Sequence, residues 1–177
     1  MIVNTPQQTF RAALGQFFVK ETSTENLAAA RSLIERSETA GADLLVLPEC
    51  IIARKLGMPE WGQKQAEPLD GPFVSGLREA TRGRRVTVVC TVQAKIANES
   101  RYANDLLVIQ NGELRLTYQK IHLYDAFRGK ESSYAAPGDV LPQVLQIGPF
   151  KVGFLTCYDV RFPEMTRALA CAGATLL

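Results

Sequence analysis

The chain has 177 residues, 46% of them hydrophobic and 21% charged, which suits one domain with a core and excludes a disordered or fibrous protein. With 20 basic and 18 acidic residues the net charge is only +2, and the one close basic group, Arg82, Arg84 and Arg85, reads as a helix end in solvent, so nucleic acid is not an expected partner. No run reaches the roughly 18 apolar residues of a membrane span, and the N-terminal Met1-Ile2-Val3-Asn4-Thr5-Pro6 lacks both halves of a leader, so no membrane association and a cytoplasmic location are expected.

In chain order, Thr9 to Phe18 reads as a first strand. Ser23 to Ala40 reads as a helix, with Leu27, Ala30, Leu33 and Ile34 at helical spacing and Gly41 closing it. Asp43 to Leu47, continuously apolar after its first residue, has the pattern of a buried parallel strand and runs into Pro48-Glu49. Pro59 to Pro72 has loop composition, a helix is expected over Phe73 to Gly83, and a strand over Val86 to Ala94. Ala103 to Gln110 and Glu113 to Lys120 flank Asn111-Gly112, the signature of a type I′ hairpin. Ser132 to Pro142 reads as loop, Val144 to Ile147 and Lys151 to Thr156 as strands, and Pro163 to Ala172 as a helix with Pro at its start and Gly173 past its end. Helices alternating with strands, interrupted by hairpins, predict an α/β layered fold with mixed sheets in a single domain over 1–177. Ala174 to Leu177 begins a further apolar strand and stops, so an incomplete C-terminus is expected, with an open edge prone to self-association.

Three apolar runs end on reactive side chains: Glu49, Lys120 and Cys157. Strand ends are where open sheets collect ligands, so a base, a cation and a sulfur nucleophile placed there form a candidate site. Cys157 sits between a strand-like run and a helix, where a turn can expose its sulfur and aim the next backbone N–H at a carbonyl. A merely packed cysteine is the plain alternative, but Asp159, Arg161 and Glu164 crowd this turn more than packing requires; an Asp159–Arg161 tether is the structural reading of that pair. Glu49 is expected in a partly dry place, where desolvation raises a carboxyl pKa. That narrows a gap of roughly 5.7 kcal/mol for moving a proton from an ordinary thiol to an ordinary glutamate. Lys120 narrows it further by stabilising thiolate and oxyanion. Singly, Glu49 also fits a salt-bridged rim residue and Lys120 a solvent-facing cation. Cys50, Cys90 and Cys171 need no role beyond packing, and with His122 as the single histidine neither a zinc site nor a disulfide framework is indicated.

Leu47-Pro48-Glu49, the segment Tyr118 to Asp125 (Tyr-Gln-Lys-Ile-His-Leu-Tyr-Asp) and the segment Cys157 to Glu164 (Cys-Tyr-Asp-Val-Arg-Phe-Pro-Glu), in this order, resemble the nitrilase superfamily of carbon–nitrogen hydrolases. Within it the chain is most similar to the small amidases that include deaminated glutathione amidase and omega-amidase. The resemblance implies a four-layer αββα sandwich, a chain that continues beyond Leu177, and homo-oligomers. It implies Glu49 as general base, Lys120 as oxyanion-stabilising cation, Cys157 as nucleophile and Glu131 as a second glutamate orienting the lysine and the substrate. The Tyr158 backbone N–H becomes an oxyanion donor, Arg161 a candidate for a substrate carboxylate with an ion pair to Asp159 or Glu164 as its structural alternative, and Tyr124 a further substrate-binding candidate. Arg128-Gly129-Lys130 adds positive charge before Glu131 that departs from the pattern. The expected reaction is hydrolysis of a small primary amide to acid and ammonia through a thioester, with no metal or organic cofactor. Three alternatives stay open: an N-carbamoyl amino acid hydrolase or nitrilase with the same triad, a Cys157–His122 thiol hydrolase whose imidazole nothing in the sequence orients, and a non-catalytic binding or assembly protein.

Overall fold

The computed structural model describes residues 9–127 and 129–177; the N-terminal hexapeptide and the Arg128 charge lie outside the described residues. The strands β1 (Ala12–Leu14), β2 (Leu44–Val46), β3 (Thr87–Lys95), β4 (Tyr102–Gln110) and β5 (Glu113–Gln119) lie side by side in that order, and β6 (Ala135–Ala136) joins the far flank of β4. β1, β2 and β3 run parallel, whereas β3–β4 and β4–β5 are antiparallel, so the sheet is mixed as the sequence predicts. At the hairpin tip Asn111 (φ 49°) and Gly112 (φ 81°) both take the left-handed conformation that a type I′ turn demands.

Helices α1 (Ser23–Thr39) and α3 (Pro72–Thr81) cover one face of this sheet. Ala30 and Ile34 of α1 and Phe73, Val74 and Leu77 of α3 bury against Leu45, Val88, Cys90, Val92, Leu107 and Ile109. The opposite face presents Leu44, Val89, Leu106, Val108, Leu116 and Tyr118 to a second core, closed by the β7 (Leu145–Ile147) and β8 (Phe150–Val152) hairpin and by Met165 of α4 (Pro163–Cys171). Apolar strands two-faced in this way are what a sheet buried between layers requires. The order helix, sheet, sheet, helix is that of the αββα sandwich.

Several expectations need correction. The first strand is three residues rather than Thr9 to Phe18, and Leu14 and Phe18 are exposed. Pro59 to Pro72 contains a one-turn helix, α2 (Trp61–Gln65), held by tertiary contacts: the Trp61 indole donates to the Glu21 carbonyl (2.9 Å), and Gly62 lies against Gln93. Ser132 to Pro142 is not only loop, because Glu131–Ser133 forms a 3-10 turn and β6 pairs with Tyr102 and Ala103. The strand predicted over Lys151 to Thr156 ends at Val152, and Leu176 bridges to Val152 in parallel. Cys171 is exposed, not packed.

Candidate active site

Glu49 is aimed by a kink in the chain at the next residue. β2 stops at Val46, but the chain keeps contact with β3 through Leu47 N–H to the Val89 carbonyl (2.8 Å) and Ile51 N–H to the Thr91 carbonyl (3.0 Å). Between them Cys50 takes a left-handed conformation (φ 56°), uncommon for a residue with a side chain. Buried side chains of β3 hold that kink: Cys50 N–H donates to Thr91 Oγ1 (2.7 Å), Ile52 N–H to Gln93 Oε1 (3.1 Å), and Gln93 Nε2 donates to the carbonyls of Cys50 (3.1 Å) and Ala53 (2.8 Å).

Lys120 sits where one strand replaces another along β4. β5 pairs with β4 as far as Asp105, β6 resumes at Ala103, and Lys120 N–H donates to the intervening Asn104 carbonyl (2.9 Å). On its other side the Lys120 carbonyl accepts from Gly138 N–H (2.8 Å), an approach only glycine allows because a Cβ there would collide with the Gln119 carbonyl. The alternative of a solvent-facing cation is excluded: Lys120 is 1% exposed.

Its Nζ lies 3.1 Å from Glu49 Oε1 and 3.1 and 3.0 Å from the two oxygens of Glu131, which is itself buried and accepts the Tyr124 N–H at 2.7 Å. Burial opposes the charged ammonium, but the two carboxylates outweigh it and hold the Lys120 pKa above the ordinary lysine value. Glu49 Oε1 also accepts from Asn104 Nδ2 (2.8 Å), a residue the sequence reading missed. Its only sequence signal is a polar pair, Asn104-Asp105, inside an otherwise apolar strand.

Cys157 does not end an assigned strand, as the sequence suggests, but opens a 3-10 turn, Cys157–Arg161. It is exposed, with φ 50°, so its sulfur stands on a turn held in a costly conformation. Burial of the sulfur and the Glu49 carboxylate raise its pKa, while Lys120 pulls the other way. Tyr158 packs edge-on against Tyr124 (5.1 Å between ring centroids) and Phe162 (5.4 Å), forming an aromatic wall beside the sulfur.

Arg161 is exposed and, among the described residues, pairs with neither Asp159 nor Glu164. Asp159 instead turns inward to His122, whose Nδ1 lies 2.8 Å from Oδ1, so the imidazole does have an orienting group; that polar contact goes to Asp159 rather than to Cys157. A cleft of about 390 Å³ between β5 and residues 138–143 includes none of Glu49, Lys120, Glu131 or Cys157 in its lining. Among the described residues no three His, Cys, Asp or Glu side chains converge as a metal site, and no helix is long and apolar enough to cross a membrane.

An exposed cysteine on a strained turn, a buried lysine and the two glutamates that grip it thus form the candidate site of this αββα sandwich. The chain belongs to the carbon-nitrogen hydrolase family, whose pattern it matches over residues 11–177. It is 34% identical over 165 residues to the deaminated glutathione amidase of Escherichia coli O157:H7, covering 93% of this chain and 63% of that protein. With an (R)-stereoselective amidase of a Pseudomonas species it shares 36% identity over 149 residues, 84% of this chain and 52% of the relative. An amidase from Nesterenkonia sp. AN1, seen with acrylamide added at its active site cysteine, superposes with a TM-score of 0.80 at 29% identity, covering 94% of this chain and 64% of that one. The chain thus spans between 52% and 64% of the length of these relatives.

Proposed function

We propose that the protein hydrolyses a small primary amide to its acid and ammonia through a thioester on Cys157. The observation that carries this reading is the buried Lys120 ammonium, gripped by Glu49 and Glu131 beside an accessible sulfur. A fixed cation at the point where an oxyanion forms lowers the barrier because it needs no reorganisation during the step.

The resting thiol is protonated at neutral pH, since burial and Glu49 raise its pKa. Its proton therefore passes to Glu49 as the sulfur attacks the carbonyl carbon. Asn104 and Lys120 both occupy Oε1, which leaves Oε2 to take that proton. The tetrahedral oxyanion faces Lys120 and the Tyr158 N–H. Its collapse breaks the C–N bond, Glu49 returns the proton to the leaving nitrogen, and ammonia departs from the thioester. Water then gives a proton to Glu49 and its oxygen to the acyl carbon, and the C–S bond breaks as the thiol is restored.

The likeness to a deaminated glutathione amidase supports an amide of that kind, or the omega-amide of a keto acid, as substrate, with Arg161 free to meet a carboxylate. Homo-oligomers are part of the same proposal. A panel of amides, N-carbamoyl amino acids and nitriles separates an amidase from its neighbours in the family. In the decisive experiment Cys157→Ala abolishes ammonia release while the fold survives; release above about a tenth of the parent rate would overturn the assignment.

A further inference from the structure

Asp159 is a wholly buried carboxylate that the proposed chemistry does not use. It lies two residues past Cys157 in the same 3-10 turn. Four donors converge on it: the Tyr118 hydroxyl (2.8 Å) and Thr156 N–H (3.0 Å) on Oδ2, and the His122 N–H (3.0 Å) and Nδ1 (2.8 Å) on Oδ1. An ionised carboxylate only accepts, so the proton of the last contact sits on Nδ1. The imidazole lies flat on Phe162, which closes the turn, with 3.5 Å between centroids and 10° between planes.

Tyr118 and His122 are the residues two before and two after Lys120. One carboxylate therefore ties both flanks of the cation to the turn that carries the sulfur, without touching either reacting group. The turn needs such a tie. β8 ends at Val152, so no strand delivers Cys157, and a left-handed backbone at a non-glycine residue persists only when its surroundings over-determine it.

We propose that Asp159 is a positioning residue that registers Cys157 against Lys120 and Glu49 through Tyr118 and His122; the inference rests on the Glu-Lys-Cys reading of the site. Asp159→Asn keeps the shape but turns an amide NH₂ toward groups that are themselves donors, so part of the tie must open. The turn then draws the thiol away from Glu49.

The test measures kcat and KM for ammonia release from a small primary amide, and the pH–rate profile of Cys157 alkylation by iodoacetamide, resolved by peptide mass spectrometry. For Asp159→Asn we expect kcat to fall tenfold or more with KM within threefold, and the alkylation midpoint of Cys157 to fall below the parent's. A thiol that ionises more easily yet turns over more slowly is the mark of lost register, which a purely structural role would not produce. Parental kcat with an unmoved profile overturns the inference. Should Asp159→Asn fail to fold, Tyr118→Phe and His122→Gln each remove one strut and are expected to shift both readouts in the same direction by a smaller amount; parental values in both overturn it. Cys157→Ala separates the two levels: if it retains turnover the proposed function itself fails, whereas an inactive Cys157→Ala beside a parental Asp159→Asn sinks the register alone.

Discussion

At the scale of single residues, Lys120 decides the character of the site. An ammonium with 1% exposure is stable there only because two carboxylates lie within 3.1 Å, and each of those is in turn held by a donor, Glu49 by Asn104 and Glu131 by the Tyr124 N–H. The arrangement is geometric as well as electrostatic, since one nitrogen meets three oxygens. Lys120→Arg keeps the charge but offers a planar fork in a space shaped for a compact head, so an oxyanion placed for one nitrogen loses its partner. A drop in turnover of about 10²-fold is the expected outcome, on the scale of a lost oxyanion donor, measured as kcat for ammonia release. Near-parental turnover would make Lys120 a structural cation only.

At the scale of elements, β4 is the strand on which the site hangs. Asn104 faces Glu49, and the alternation of the strand sends Asp105 to the other face, beside the core residues Ala103 and Leu107. Asp105 is 6% exposed, and burial pushes its carboxyl up to about 6. A carboxyl raised in the folded state favours folding most below its unfolded pKa of about 3.9 and loses that contribution as pH rises through about 6. Asp105→Asn removes the loss. Its stability relative to the parent is therefore expected to improve between pH 4 and pH 7.5, by an amount on the order of 2–3 kcal/mol, read from urea unfolding at both pH values. An equal difference at the two would show that Asp105 is well solvated. The hairpin that follows was legible because Asn-Gly is local chemistry; the β5-to-β6 exchange that seats Lys120 was not, since β6 is two alanines whose pairing nothing nearby signals.

For the whole molecule, the two cores predict how its four thiols behave. Cys90 lies in the core under the helices and Cys50 in a small cluster with Tyr102 and Ala135, and burial pushes each thiol up to about 12. Cys157 and Cys171 are exposed. Iodoacetamide should therefore reach only Cys157 and Cys171 in native buffer, and reach Cys50 and Cys90 at rates that follow global unfolding as urea is added. Peptide mass spectrometry over a time course tests this, and native labelling of Cys90 as fast as Cys171 would contradict the layered packing.

Legible from the order of residues alone were the α/β class, the mixed sheet, the type I′ hairpin, the main helices and the candidate residues Glu49, Lys120 and Cys157, with Glu131 added by the family resemblance. Periodicity, turn chemistry and motif order are written in neighbouring residues. The folded chain was needed to show that Lys120 is buried between two carboxylates, that Asn104 holds Glu49, that Gln93 and Thr91 kink the chain at Cys50, and that Asp159 turns to Tyr118 and His122 rather than to Arg161. Apart from the Lys120–Glu131 pair, 11 positions apart, each of these contacts joins residues between 37 and 71 positions apart, and the 55-residue span from Glu49 to Asn104 lies within that range. Local preference carries no information at such separations; the partners are chosen by burial, which leaves a polar group no water and so fixes which of the few polar groups within reach it must bond.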